Sequence, residues 1–221
     1  MSSPLKVDIW SDIACPWCYI GKRKFEEGLS QFAGRDDVEV EYHSFELAPD
    51  TPVDFEGSEI DFLAKHKGMP KAQVEQMLDH VTGIAAEVGL EYRFDQLKHT
   101  KTLQAHQLLH FAKSQGKQRE MKERLLKAYF TEGKHVGKND TLVELAGEIG
   151  LDKDAARAAL ESGEFASDVQ ADLNMAREYG INGVPFFVFN NKYGVSGAQA
   201  PETFTQVLDQ VAGELEAESA K

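Results

Sequence analysis

Both cysteines of the 221-residue chain lie in the run Trp10-Ser11-Asp12-Ile13-Ala14-Cys15-Pro16-Trp17-Cys18-Tyr19-Ile20-Gly21. An amphipathic pattern follows it, with Phe25 and Leu29 spaced for burial on one face of a helix. Pro16 suits the first position of that helix, because its fixed φ is helical and its missing N–H would have no partner there. We therefore predict a helix that begins directly after Cys15 and runs to about Phe32.

The placement at a helix start gives the two sulfurs different roles. Cys15 lies near the N-cap, where unpaired backbone N–H groups and the positive end of the helix dipole stabilise a thiolate. These effects predict a lowered pKa for Cys15, which makes it the expected nucleophile. Cys18 lies one turn further along, where we expect the protein to cover it and to use it as the disulfide partner. Trp17 adds an apolar surface beside the Cys15 sulfur. The pKa of Cys15 should therefore be lowered less than it would be with a basic residue at position 17.

Three other interpretations of the cysteine pair stay open. A zinc site needs four ligands, and because the chain has no second cysteine pair, His43 or His106 would have to complete it. The pair could also be inert and buried, although burial does not require a proline at the first helical position. A purely structural disulfide is disfavoured, because closing so short a loop removes little entropy from the unfolded chain. We therefore predict redox chemistry and no bound metal.

The run from Ser11 to Gly21 resembles the active-site signature of the DsbA-like thioredoxin-fold oxidoreductases, in particular their FrnE-like branch. That branch is close to the 2-hydroxychromene-2-carboxylate isomerases and the kappa-class glutathione transferases. The resemblance implies an α/β protein, a thioredoxin fold with a large all-helical insertion domain. It also implies thiol-disulfide exchange on protein or peptide substrates through Cys15 and Cys18, with no cofactor beyond the redox-active disulfide.

Two further functions stay open beside redox exchange. The isomerases and transferases related to this branch usually carry serine where this chain has Cys15, so the retained dithiol favours redox chemistry. A glutathione-dependent isomerase or transferase, with glutathione as a co-substrate at Cys15, is the first alternative. A thiol-dependent chaperone without enzymatic activity is the second.

A second motif lies far downstream, in the run Gly183-Val184-Pro185-Phe186-Phe187. A proline directly before apolar strand residues is unusual in a central strand, since it donates no hydrogen bond. In thioredoxin-fold proteins the matching run carries a cis proline opposite the active-site cysteines, so the resemblance implies that Pro185 is cis. The backbone N–H and C=O groups of Val184 would then pair with an extended substrate segment.

Two more residues are candidates at the site. Asp8 puts a charge on an expected central strand, and an acid in roughly this place takes up protons in thioredoxin-like proteins; the alternative is an acid that reaches solvent at the strand end. His106 lies in a segment that resembles a recurring one of the FrnE-like branch, where it would line a groove above the cysteines. A structural or solvated histidine is the commoner case. His106 and His110 also have the spacing of a metal-binding pair, but no H-E-x-x-H arrangement.

Charge and composition restrict the partners. The formal net charge of −13 argues against nucleic acid and against an anionic membrane surface, since both would repel the chain. The segment Met1–Lys6 lacks the pattern of a signal peptide, and no apolar run is long enough to span a membrane. A lone Cys-x-x-Cys pair in the cytoplasm is more often catalytic than structural. We therefore expect a cytoplasmic protein whose partners carry thiols or disulfides.

The rest of the chain suggests two halves of a thioredoxin fold separated by helices. The first half has predicted strands at Leu5–Trp10 and Val38–His43. The second half has a helix, a hairpin of strands after Pro185 and a last helix whose acidic end, residues 214–221, is expected to fray. The predicted divisions are residues 1–57 for the first half, 58–165 for an almost entirely helical insertion and 166–221 for the second half.

Overall fold

The computed structural model describes residues 5–220, so the predictions that rest on residues 1–4 and 221 lie outside the described part. The strands are β1 (Leu5–Ser11), β2 (Val38–Ser44), β3 (Phe186–Phe189) and β4 (Tyr193–Ser196). They form one sheet in the order β2-β1-β3-β4. β1 pairs with β2 in parallel and with β3 in antiparallel orientation, and β3 and β4 form an antiparallel hairpin.

Nine α-helices are assigned within residues 5–220. They are α1 (Pro16–Gln31), α2 (Glu59–Lys67), α3 (Lys71–Glu87), α4 (Leu103–Ser114), α5 (Gln118–Phe130), α6 (Asn139–Glu148), α7 (Lys153–Ser162), α8 (Ala166–Glu178) and α9 (Pro201–Ser219). Helices α2 to α7 all lie between β2 and α8 in the chain, which confirms the predicted thioredoxin fold with a helical insertion. In the described part of the chain, no helix is both long enough and apolar enough to cross a membrane.

The two faces of the sheet are covered by different elements. On one face, Val7 and Ile9 of β1 pack with Phe25 of α1 in a core that also contains residues of α9. On the opposite face, Trp10 packs with Ala176 of α8. Successive side chains of a strand point to opposite faces. Side chains of β1 therefore alternate between the two faces, and both faces of this central strand are buried.

A third core joins the helical segment to the helix that carries the cysteines. It contains Ile13, Tyr19 and Ile20 together with apolar residues of α3, α4, α5 and α6. Tyr92, which lies between α3 and α4, also reaches α1, where its hydroxyl donates a hydrogen bond to the carbonyl of Pro16 at 2.5 Å. The helical segment therefore packs directly against the N-terminus of α1.

Residues 88–102 contain no helix and interrupt the otherwise mostly helical stretch 58–165. Gly89 follows the end of α3 with a φ of 77°, a left-handed conformation that favours glycine. The segment is then held by distant contacts, because the N–H of Arg93 donates to the carbonyl of Phe130 at 2.7 Å. Contacts with distant residues, which a local pattern does not encode, fix the conformation of this segment.

The fraying predicted for the acidic end, residues 214–221, is wrong for residues 214–219, since α9 continues to Ser219. Glu214 accepts hydrogen bonds from the Nζ of Lys192 and the hydroxyl of Tyr193, both at 2.6 Å. These two bonds tie the helix to the hairpin formed by β3 and β4, and so replace the stabilisation that an acidic stretch lacks on its own.

Candidate active site

The two cysteines lie at the N-terminus of α1. Cys15 is the N-cap, with extended backbone angles (φ −98°, ψ 111°), and Pro16 is the first helical residue, as predicted. The Sγ of Cys15 accepts a hydrogen bond from the backbone N–H of Cys18 at 3.2 Å. Both side chains are free thiols, and they are 2% and 3% exposed, respectively. One unpaired N–H of the helix terminus is therefore satisfied by the Cys15 sulfur.

The electrostatics of the reduced pair differ from the expectation. Burial raises the pKa of the Cys15 thiol and outweighs the lowering by the backbone N–H of Cys18, so the predicted low pKa of Cys15 is wrong for this state. Burial acts on Cys18 as well, but a hydrogen bond with Cys15 and the positive charge of Lys122 lower the pKa of Cys18.

Val184 and Pro185 face Cys15 from the loop before β3. The Val184–Pro185 peptide bond is cis, as the resemblance implied. The thiol of Cys15 donates a hydrogen bond to the carbonyl of Val184, with 3.5 Å between sulfur and oxygen. Gly21 allows α1 to approach this loop, because a Cβ at that position would lie 2.8 Å from the Cγ of Pro185. The fold therefore brings the downstream motif against the first cysteine.

A cavity of about 350 Å³ opens beside Cys15. Cys15, Trp17 and Val184 form one part of its wall, and Cys18 does not line it. Trp17 is 39% exposed, which places an apolar surface next to the sulfur as predicted. The volume lies in the range of small-molecule sites. Cys15 is therefore the sulfur that a substrate in the cavity can reach. The polar and aromatic residues that also line the cavity include Glu59, Phe62, His66, Lys67, His80 and His99.

Asp12 is a buried carboxylate to which the sequence analysis gave no role. Its Oδ1 accepts hydrogen bonds from the Thr102 hydroxyl at 2.8 Å and from Nε2 of His106 at 3.0 Å, and its Oδ2 accepts one from the N–H of Leu47 at 2.9 Å. Burial alone would raise the pKa of Asp12, but these partners lower it. Asp12 lines the cavity, and its charge raises the pKa of Cys15. The sequence signal for this role was an acidic residue placed in the mostly apolar run of residues 10–14, directly before Cys15.

His106 was expected to line a substrate groove, and the structure places it behind Asp12 with none of its surface exposed. Its contact is with the carboxylate and not with the cavity. His110, one helical turn away, instead bonds Oδ2 of Asp172 through Nε2 at 2.8 Å. The two histidines therefore have separate partners and do not form a metal-binding pair.

Helix α5 contributes two charged residues that the sequence analysis missed. Lys122 is 1% exposed, and its Nζ makes no hydrogen bond within residues 5–220. The signal for its burial was its position three and four residues before Leu125 and Leu126, on the apolar stripe of the helix. The adjacent Glu123 accepts hydrogen bonds from three side chains of α1, those of Tyr19, Lys22 and Arg23. We call Asp12, Cys15, Cys18, His106 and Lys122 the active-site cluster.

Asp8 lies in a second group of buried residues, Asp8, His43, His110 and Asp172, which we call the His43 cluster. Nε2 of His43 lies 2.7 Å from Oδ1 of Asp8, and Nδ1 lies 2.6 Å from Oδ1 of Asp172. Burial alone would lower the pKa of His43, but the two carboxylates raise it to about 9. No hydrogen bond joins Asp8 to either cysteine in the part of the chain described here. Its expected role in proton transfer stays a prediction.

The partners of the histidines also bear on the zinc alternative. His43 binds two carboxylates and His106 binds Asp12, so neither histidine completes a site with the cysteines. Among residues 5–220, the one grouping with metal-ligand geometry is Asp8, Glu41 and His43, which contains no sulfur. Lys6 forms ion pairs with both acids of that grouping.

Comparisons with known proteins agree with this geometry. Residues 6–209 match the profile of the DSBA-like thioredoxin domain family. The crystal structure of a probable DsbA oxidoreductase, SCO1869 from Streptomyces coelicolor, is 42% identical, with a TM-score of 0.90 over 95% of this chain and 91% of its own. The Uncharacterized protein YwbO of Bacillus subtilis (strain 168) is 30% identical over 213 residues, 91% of this chain and 94% of that protein. A 2-hydroxychromene-2-carboxylate isomerase, 15% identical with a TM-score of 0.71 over 97% of this chain and 98% of its own, is alike in fold alone.

Proposed function

The chain belongs to the DSBA-like thioredoxin domain family, and from this premise we propose that it is a thiol-disulfide oxidoreductase that acts through Cys15 and Cys18. The observation that carries the proposal is the asymmetry of the pair. The sulfur of Cys15 lines the cavity and faces the carbonyl of Val184, whereas Cys18 lies behind it. Thiol-disulfide exchange requires this arrangement, because one sulfur must contact the substrate while the second must stay available to resolve the mixed disulfide.

The reaction proceeds through a mixed disulfide at Cys15. In the oxidising direction, a substrate thiolate attacks the Cys15 sulfur of the Cys15–Cys18 disulfide, and Cys18 leaves as a thiolate. A second substrate thiolate then attacks the substrate sulfur of the mixed disulfide, which releases Cys15 as a thiolate and gives the oxidised substrate. In the reducing direction, the same steps run in reverse, and the Cys15 thiolate attacks a substrate disulfide.

We propose proteins and peptides that carry thiols or disulfides as the substrates. An extended segment beside Cys15 would pair with the backbone of Val184, a mode that depends little on side chains. No cofactor beyond the cysteine pair is part of the proposal, and glutathione is a candidate co-substrate. We place the protein in the cytoplasm, on the ground that its only two cysteines both belong to this pair.

Two single substitutions test the proposal. Cys15→Ser should abolish insulin reduction and glutathione-dependent exchange, because it removes the sulfur that meets the substrate. Cys18→Ser should strongly reduce turnover and accumulate a mixed disulfide on Cys15, which intact-mass analysis detects. Wild-type activity no higher than that of free dithiothreitol would contradict the proposal. In that case, retained holdase activity in the double variant would favour the chaperone alternative.

A glutathione-dependent isomerase or transferase is the second candidate, and the cavity beside Cys15 favours it. Its volume of about 350 Å³ suits a small molecule, and His66, Lys67 and His80 in its wall can supply positive charge for carboxylates. This candidate requires only one sulfur, so Cys18→Ser should retain its activity. The same variant therefore separates the two functions, since redox exchange needs both cysteines.

A further inference from the structure

Lys122 combines complete burial with the absence of a partner. It is 1% exposed, on the inner side of α5, and its Nζ has no hydrogen bond within the described residues. Its neighbour Lys22, by contrast, is also buried but bonds two carboxylates, those of Glu26 and Glu123. A buried ammonium without a partner costs free energy, so such a group needs a reason to be there.

The surroundings of Lys122 indicate that reason. The ring centroid of Tyr42 lies 5.5 Å from Nζ, at the distance of a cation–π contact. Burial lowers the pKa of Lys122 to about 8, and Cys18 is the group that opposes this lowering most strongly, followed by Asp12 and Cys15. Lys22 is the neighbouring positive charge that acts in the other direction. The Cys18 sulfur therefore lies within electrostatic range of the buried ammonium, although no hydrogen bond joins the two within the described residues.

We propose that Lys122 is a positioning residue for the thiol-disulfide exchange, which its ammonium promotes by stabilising negative charge on the sulfur of Cys18. This inference rests on the proposed function. Cys18 carries that charge when a substrate thiolate bonds to the Cys15 sulfur and the Cys15–Cys18 bond breaks, because both electrons of the broken bond go to Cys18. The step needs no other reactant, and Cys18 is too buried for water to supply the stabilisation instead.

Two consequences follow for exchange. A leaving sulfur of lower pKa leaves faster, so Lys122 accelerates attack on the disulfide at Cys15 and directs it there. A thiolate on Cys18 exists only in the reduced enzyme and in the mixed disulfide. Lys122 therefore stabilises the dithiol relative to the disulfide and makes the pair more oxidising.

The first experiment compares Lys122→Met with Leu125→Met, which introduces the same side chain one turn along α5 without removing a charge. Each protein is equilibrated with glutathione buffers, and its dithiol fraction is measured after alkylation. We expect Leu125→Met to match the wild type. We expect Lys122→Met to shift the equilibrium about tenfold toward the disulfide, a change of about 30 mV, and to slow the attack of glutathione on the oxidised enzyme.

The outcomes separate the inference from the proposed function. If the wild type exchanges disulfides and Lys122→Met has the same potential and rate as Leu125→Met, the inference fails while the proposed function stands. If the wild type shows no exchange, the proposed function fails and the inference fails with it.

A second measurement uses the wild-type protein and does not depend on a variant that folds. The pKa of the Lys122 side chain is followed by ¹³C NMR of lysine-labelled protein, once in the dithiol form and once in the disulfide form. We expect the higher pKa in the dithiol form, because only that form can place a thiolate near Nζ. Equal values in the two forms would overturn the inference.

Discussion

The His43 cluster and the active-site cluster both bury charge, but they differ in how completely their polar atoms are paired. In the His43 cluster, both ring nitrogens of His43 bond carboxylates, and Asp172 also accepts hydrogen bonds from His110 and from the N–H of Ser44. In the active-site cluster, Nζ of Lys122 and Nδ1 of His106 have no partner within residues 5–220. One group of charges is internally complete, and the other is not.

This difference distinguishes a cluster that stabilises the fold from a cluster that takes part in the reaction. A fully hydrogen-bonded group holds strands and helices together, and its members have no bonding capacity left for a substrate. An incompletely paired charge lowers the stability of the fold, and it persists where a reaction creates its partner transiently. We therefore expect the loss of His43 to lower stability, and the loss of Lys122 to alter exchange without lowering stability.

The largest expected effect is a loss of stability in His43→Asn. The substitution leaves Asp8 and Asp172 buried without their shared positive partner, and breaking such a pair typically costs about 3–5 kcal/mol of unfolding free energy. Urea unfolding at pH 7 measures it, with His80→Asn on the exposed side of α3 as the matched control. The redox potential of the cysteine pair should be unchanged. A loss below about 1 kcal/mol would erase the distinction between the two clusters.

The pH dependence of stability should reveal the contribution of His43 as well. Burial alone would lower the pKa of His43, but hydrogen bonds with Asp172 and Asp8 raise it from 6.5 to about 9 in the folded protein. A group whose pKa is raised by folding contributes its full stabilisation at pH values below its pKa in the unfolded chain. This stabilisation is lost as the pH rises through its pKa in the folded protein. Relative to His43→Asn, the wild type should lose about 3 kcal/mol between pH 6.5 and 9. Parallel stability curves for the two proteins would contradict this assignment.

Lys122→Met, in the active-site cluster, is expected to raise the stability of the fold, whereas His43→Asn lowers it. Burial lowers the pKa of Lys122 from 10.5 to about 8, so the unfolded chain binds this proton more tightly than the folded one. Removing the ammonium should therefore raise stability at pH 7, by up to about 3 kcal/mol. The gain should shrink as pH rises from 8 to 10.5, where the wild-type lysine becomes neutral in both states. Chemical unfolding at pH 7 and pH 10 tests this, and a variant destabilised at both values would contradict it.

A smaller effect is expected for Gly21→Ala, which tests how tightly the loop before β3 packs on the active-site cluster. The new Cβ would lie 2.8 Å from the Cγ of Pro185, so the loop must move away from Cys15. We expect a loss of about 1–3 kcal/mol in stability and slower exchange. Gly213→Ala in α9 is the control, because no atom lies within 4 Å of its added Cβ, and it should gain about 0.5–1 kcal/mol. Equal behaviour of the two variants would show that the contact is unimportant.

The parts of the site that could be predicted are those that local sequence determines. A proline after the first cysteine places Cys15 at a helix start, and the family resemblance supplied the conformation of Pro185. The bounds predicted for α1, from directly after Cys15 to about Phe32, agree with the structure within one residue. These features depend on short-range geometry, which the order of the residues encodes directly.

The rest of the site depends on contacts between distant segments. Asp12 and His106 are 94 residues apart in sequence, and neither shows that the other will bind it. The pKa of Cys15 was predicted from the helix terminus alone, which does not show how deeply the fold buries the sulfur. Lys122 stands on an apolar stripe, but a lysine there usually extends its amine to solvent, so the sequence signal did not show that Nζ would be buried without a partner.

The bonds from Glu123 to α1 have a consequence for attempts to simplify this protein. A minimal redox protein made by excising residues 58–165 would remove the acceptor of Tyr19, Lys22 and Arg23. It would also expose Ile13, Tyr19 and Ile20 to water, since these side chains are buried against the excised helices. Any such miniaturisation must therefore redesign the surface of α1 as well as reconnect the chain.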